Sequence, residues 1–141
     1  MFYEVKVRYT KQTGEDNPAK VTESYLVEGV NFGDAEKQVF DNLKVFVFGE
    51  EMEVVAMKVV KPFDLVKCGC AEKIFKCKVE MITIDGDKET RKRVLVFVGA
   101  DDLESARKIF EEYFKSYDCE LIAVEETKIN EVWCVARPPK C

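Results

Sequence analysis

The chain has 141 residues, of which 47% are hydrophobic, enough apolar side chain for one compact core without disulfide or metal staples. No window approaches the ~20 uncharged apolar residues of a membrane span, and Met1-Phe2-Tyr3-Glu4-Val5-Lys6 lacks the basic stretch and apolar run of a signal peptide, so a cytoplasmic protein with no membrane partner is expected. A formal net charge of −5 argues against unselective nucleic-acid binding, and six cysteines in a chain of this size read as reduced thiols.

In chain order, Tyr3, Val5, Val7 and Tyr9 alternate with Glu4, Lys6, Arg8 and Thr10, the period of a half-buried strand. A polar loop from Lys11 to Ala19 leads to a second strand containing Tyr25-Leu26-Val27. The period then changes: Phe32, Ala35, Val39 and Leu43 are three to four apart, predicting a helix that Asn31 can cap, because its side-chain oxygen satisfies free N–H groups of the opening turn. Val45-Phe46-Val47-Phe48-Gly49 is an apolar insertion, read as a lid tucked over the core or as a partner contact through Phe46 and Phe48. A closing strand follows over about Glu53–Val60, and Pro62 bars its extension as a central strand.

The pattern then recurs. Phe75, Cys77, Val79 and Met81 alternate with Lys76, Lys78 and Glu80; Asp85-Gly86 signals a tight hairpin into Val94-Leu95-Val96-Phe97-Val98. Either Asp101 or Asp102 can cap a helix whose apolar positions are Leu103, Ala106, Ile109 or Phe110, and Tyr113. Glu120–Thr127 closes the copy as Glu53–Val60 closes the first, and Trp133 beyond it reads as a core closer. The fold class expected is therefore α+β: a tandem duplication of a strand-strand-helix-strand unit, with two helices on one face of a sheet and pseudo-two-fold symmetry. The first repeat spans 1–66, a linker 67–73, the second repeat 74–136 and a tail 137–141, the repeats forming one compact domain. One continuous sheet is the expected arrangement and two sheets in contact the alternative, since a three-stranded unit is marginal alone.

Tyr3-Glu4-Val5-Lys6-Val7-Arg8-Tyr9, Lys20-Val21-Thr22-Glu23-Ser24-Tyr25-Leu26-Val27, Phe32 and Ala35-Glu36 resemble an uncharacterised family, the domain of unknown function DUF4494, of small proteins from gut anaerobes and their phages or mobile elements. The resemblance implies a two-copy α+β domain and no particular activity or catalytic residue.

The absence of histidine removes Ser-His and Cys-His nucleophilic sites and histidine general bases, and no Gly-rich phosphate loop is present, so no enzyme, cofactor or catalytic residue is expected. Cys68-Gly69-Cys70 has a one-residue spacer where zinc sites use paired Cys-x₂₋₄-Cys steps, and Cys77 and Cys119 occupy apolar strand positions, so no metal site is expected either. Charge separates by element: Lys6, Arg8, Lys76, Lys78, Arg91 and Arg93 fall on outward strand positions, whereas the helices and caps carry Asp34, Glu36, Asp102 and Glu104. A basic sheet face is one way of holding single-stranded nucleic acid, so the first functional expectation is a non-catalytic nucleic-acid-binding accessory protein of phage or mobile-element type. The alternatives are a protein-interaction or self-association module using Phe46 and Phe48, and a small-ligand binder with a pocket between the repeats.

Overall fold

A computed structural model of the chain describes residues 1–11, 17–69 and 71–134. The chain runs β1 (Phe2–Lys11), β2 (Ala19–Glu28), α1 (Phe32–Leu43), a 3-10 turn (Lys44–Phe46), β3 (Val47–Val60), β4 (Pro62–Val66), β5 (Lys73–Asp85), β6 (Lys88–Ala100), α2 (Leu103–Tyr113), β7 (Cys119–Glu126) and β8 (Ile129–Trp133). It is α+β, with two four-stranded sheets in place of one continuous sheet, and it divides into two compact units.

In the first unit, alternation puts Tyr3, Val5, Val7 and Tyr9 on one face of β1, all buried. β1 pairs antiparallel with β2 and β3, and β8 adds in parallel to the far edge of β2, giving the order β3-β1-β2-β8. α1 packs Ala35, Val39 and Leu43 into the core formed by the β1 residues with Tyr25 and Val27. Each fully buried Val or Leu contributes about 1.5–3 kcal/mol relative to exposure, so this stripe is what holds the helix to the sheet. Asn31 caps α1, its side-chain oxygen accepting from the Asp34 N–H at 2.8 Å, while the Asp34 carboxylate accepts from the Val30 N–H at 2.9 Å.

The second unit has the order β4-β6-β5-β7, with β5 antiparallel to β6 and β7, and β4 parallel to β6. Gly86, at φ 63, begins the two-residue turn between Asp85 and Lys88, as the hairpin signal implies. Asp102 is the residue that caps α2, accepting from the Ser105 N–H at 2.8 Å. Ala106, Phe110 and Phe114 are buried from this helix and the turn after it, while Leu103 and Tyr113 are exposed. The expected apolar phase is corrected accordingly: Phe32 and Leu103, first residues of their helices beside the caps, are half exposed, Phe32 with its ring against Tyr3 at 4.7 Å, and the stacked pair Phe110–Phe114, centroids 4.7 Å apart, takes the place expected of Tyr113.

Two expectations change at the short strands. β4 follows β3 in sequence but pairs with β6, and β8 follows β7 but pairs with β2, so the units are not the contiguous spans 1–66 and 74–136. The short strands also occupy the second edges of β2 and β6, leaving neither strand an edge through which one sheet could continue. Pro62 starts an edge strand, where a missing N–H costs no ladder bond. Beyond β4 the chain turns at Lys67, at φ 53, against Gly99 of β6, where a Cβ would fall onto the Lys67 carbonyl and within 2.9 Å of the Ala71 Cβ. The expected tail, 137–141, lies outside the described residues.

Substituting Gly99→Ala should therefore loosen the turn that follows β4, lowering the chemical-denaturation midpoint. Ala35→Leu and Ala106→Leu should each cost about 1–3 kcal/mol by overpacking the helix–sheet contact. Unchanged unfolding of both alanine variants would contradict their placement at 0% exposure.

Candidate functional site

β2 places Val21, Glu23, Tyr25 and Val27 on the face that packs beneath α1, so a carboxylate enters an otherwise apolar row. Its side chain is only 11% exposed. Burial of this kind is tolerated because the charge is matched. The hydroxyls of Tyr9 and Tyr25 both donate to Glu23 Oε1, at 2.5 and 2.7 Å, and the Lys11 ammonium donates to Oε2 at 3.2 Å.

These contacts set the titration of all three acids. Burial works to raise the Glu23 pKa, and the combined donation from Tyr9, Tyr25 and Lys11 outweighs it, leaving the carboxyl below its ordinary value. Burial, reinforced by the neighbouring Glu23 carboxylate, pushes both tyrosines well above the ordinary phenol range. At neutral pH the cluster is therefore an ionised carboxylate held by two neutral phenols and one ammonium.

Above this cluster lies an open pocket of about 340 Å³. β8 lines one side with Asn130, Glu131 and Trp133, and the end of α1 and the following turn line another with Asn42, Leu43 and Phe46. Trp133 stacks on Tyr25, with centroids 4.4 Å apart and planes at 16°, and its indole N–H donates to Glu131 Oε2 at 2.8 Å. The side-chain amides of Asn42 and Asn130 make no hydrogen bond with the described residues.

The second unit has no such cluster at the matching register positions. Val7 faces Glu23 and Val5 faces Tyr25 across β1 and β2; across β5 and β6, Val79 faces Val94 and Cys77 faces Val96. Those positions join an apolar core, and burial pushes the Cys77 thiol up to about 11, far from a reactive thiolate.

The six basic residues expected to form one face divide between the units, Lys6 and Arg8 on β1 and the other four on β5 and β6. Five of them have carboxylate partners. Arg8 meets Glu53 at 3.5 Å, Lys76 and Lys78 share Glu125 at 3.7 and 3.2 Å, and Arg93 reaches Glu80 at 4.0 Å. Arg91 lies among Glu80, Glu120 and Glu89 at 3.1, 3.1 and 3.5 Å. Lys6 makes no ion pair with the described residues. Of the expected partner contacts, Phe46 is 47% and Phe48 54% exposed, while Val47 between them packs against the core: Phe46 borders the pocket, and Phe48 lies at the start of the edge strand β3.

Cys68 is buried with its thiol directed to the Val66 and Phe97 carbonyls, and no group of acidic and cysteine side chains among the described residues is placed to hold a metal. Cys70 and Cys141 lie outside the described residues. Sequence reasoning missed Glu23, Tyr9 and Lys11 as a cluster. The signal was an acidic residue in phase with Val21, Tyr25 and Val27; the β8 contribution had no comparable signal, since it depends on which strand that segment pairs with.

Fold and site together define an α+β protein with a small polar and aromatic pocket in one of two similarly ordered units. The chain belongs to the family described as a domain of unknown function, DUF4494, which it matches over residues 1–135. No curated protein and no solved structure matches it.

The cluster predicts a stability window. Glu23, with its folded pKa depressed, contributes fully above the ordinary 4.5 and loses its contribution as pH falls through the folded value; the tyrosines, with theirs raised, contribute fully below 10.0 and lose theirs as pH rises. Glu23→Gln should cost about 1–3 kcal/mol at neutral pH and make the acid limb of stability against pH shallower. Tyr9→Phe should do the same to the alkaline limb. Urea unfolding across pH measures both, and limbs identical to wild type would show that the cluster is not coupled to folding.

Proposed function

We propose that the protein is a non-catalytic binding protein whose first unit holds a compact small ligand in the pocket above Glu23. One observation carries this reading: Asn42 and Asn130, whose amides have no partners among the described residues, line one pocket with Trp133, Phe46 and a fixed carboxylate, where the matching positions of the second unit are plain apolar core. Pockets of this kind combine an aromatic surface with a few polar groups that fix orientation. This reading differs from the expected site between the repeats in that the described residues lining the pocket all belong to the first unit.

The repeated strand order, read as closing strand, first strand, second strand and short parallel strand in both sheets, supports an internal duplication with pseudo-two-fold symmetry, one copy having gained the pocket. The setting taken for this activity is the cytoplasm of a gut anaerobe, or a phage or mobile element within it, on the resemblance described above.

Single-stranded nucleic acid is the second reading, favoured by Lys6 on an exposed strand position. It ranks below the pocket because a phosphate at the other five basic residues has to displace a carboxylate within 4.0 Å. Self-association through Phe48 stands third, resting on its exposure.

Trp133 is the single tryptophan, so one indole N–H resonance reports on the pocket. Titrating a mixed set of cationic, neutral and anionic fragments should shift that resonance saturably for a subset of compounds. A set that leaves it unmoved at millimolar concentration would remove the pocket reading. Titration with labelled single-stranded oligonucleotides at low salt tests the second reading: salt-sensitive binding weakened by Lys6→Glu would put it first.

A further inference from the structure

Resting on the pocket reading, we infer that the ligand is a compact organic cation carrying N–H donors. Among the described residues, three charged side chains line the pocket: one lysine, Lys11, and two carboxylates, Glu23 and Glu131. Lys11 is already bound to Glu23 at 3.2 Å, and the other oxygen of Glu23 takes both phenols, so this part of the wall is electrically closed. Glu131 is different. Its Oε2 accepts the Trp133 indole N–H at 2.8 Å, a neutral donor that leaves the negative charge uncompensated, and Oε1 has no hydrogen-bond partner among the described residues.

The unbalanced charge therefore lies beside the Trp133 ring. An aromatic face next to a carboxylate attracts a cation twice, through the ring quadrupole and through the charge. Asn42 and Asn130 add carbonyl acceptors for further N–H groups. A phosphate or carboxylate ligand would instead meet two carboxylates and a lysine already engaged, and a cavity of about 340 Å³ admits a molecule near the small end of the usual ligand range. An amidinium or a primary ammonium on a flat or short apolar body fits these requirements.

The probes are benzamidinium, neutral benzamide and anionic benzoate, which share shape and differ in charge, followed through the Trp133 indole resonance. Benzamidinium should bind saturably, benzamide about tenfold more weakly and benzoate not at all, and Glu131→Gln should weaken benzamidinium by about tenfold while sparing benzamide. The glutamine keeps an oxygen for the indole N–H, so the variant removes charge without opening the stack. Benzoate binding as tightly as benzamidinium, or a Glu131→Gln variant that binds benzamidinium unchanged, would overturn the cation assignment. If benzamide or benzoate binds while benzamidinium does not, the pocket reading stands and the cation assignment falls; if neither these probes nor any fragment moves Trp133, both fall.

Discussion

The parallel pairing of β8 with β2 is the contact on which the pocket depends. β2 alone presents Glu23 and Tyr25 at the edge of a three-stranded sheet, where a buried carboxylate would have water on one side. When Ile129–Trp133 adds to that edge, Trp133 stacks on Tyr25, and Asn130 and Glu131 reach the same opening. The strand is only five residues long, and its register shifts between Ser24 and Tyr25. Its hold on the sheet therefore comes from burial of Ile129 and Val132 and from the indole–phenol stack as well as from the ladder.

A second constraint governs the surface. Cross-strand neighbours on an antiparallel pair sit close enough for opposite charges to meet, and here the strands flanking the lysines and arginines are rich in glutamate. Exposed pairs of this kind add little stability, about 0–1 kcal/mol each, yet they decide what the surface offers a ligand. Lys78 donates to Glu125 and holds that carboxyl below its ordinary value, a sign that the positive charge is already in use. The acidic total of the chain is thus expressed within the strands as well as on the helices.

The two units show how one strand order can enclose two different interiors. With Val94 and Val96 at the register positions of Glu23 and Tyr25, the second unit closes into an apolar core. With a carboxylate there, the first unit must surround it with donors, and the tyrosines and lysine that do so form the floor of a polar opening. The difference amounts to a few side chains on a shared arrangement, which is why backbone pattern alone does not reveal it.

The sequence by itself determined the local structure. Period-two alternation placed β1 and β5, short apolar runs placed β2 and β6, the latter through the Asp85-Gly86 hairpin signal, the change to a helical period placed α1 and α2, and Asn31 and Asp102 cap as short polar side chains should, because these signals arise between residues close in the chain. Ala35 and Ala106 were legible as close-approach positions for the same reason. What only the tertiary structure decided is where the short strands go. β4 and β8 carry no mark of their partners, since strand pairing across a sheet edge depends on backbone groups that every residue possesses, and a parallel addition needs no turn to announce it. The pairing of each lysine and arginine with its glutamate, and the meeting of Trp133 with Tyr25 and Glu23 from a residue separation of more than a hundred, follow from that same edge choice. Local periodicity fixed the elements; the contacts that bring a site together were set by which edges closed on which strands.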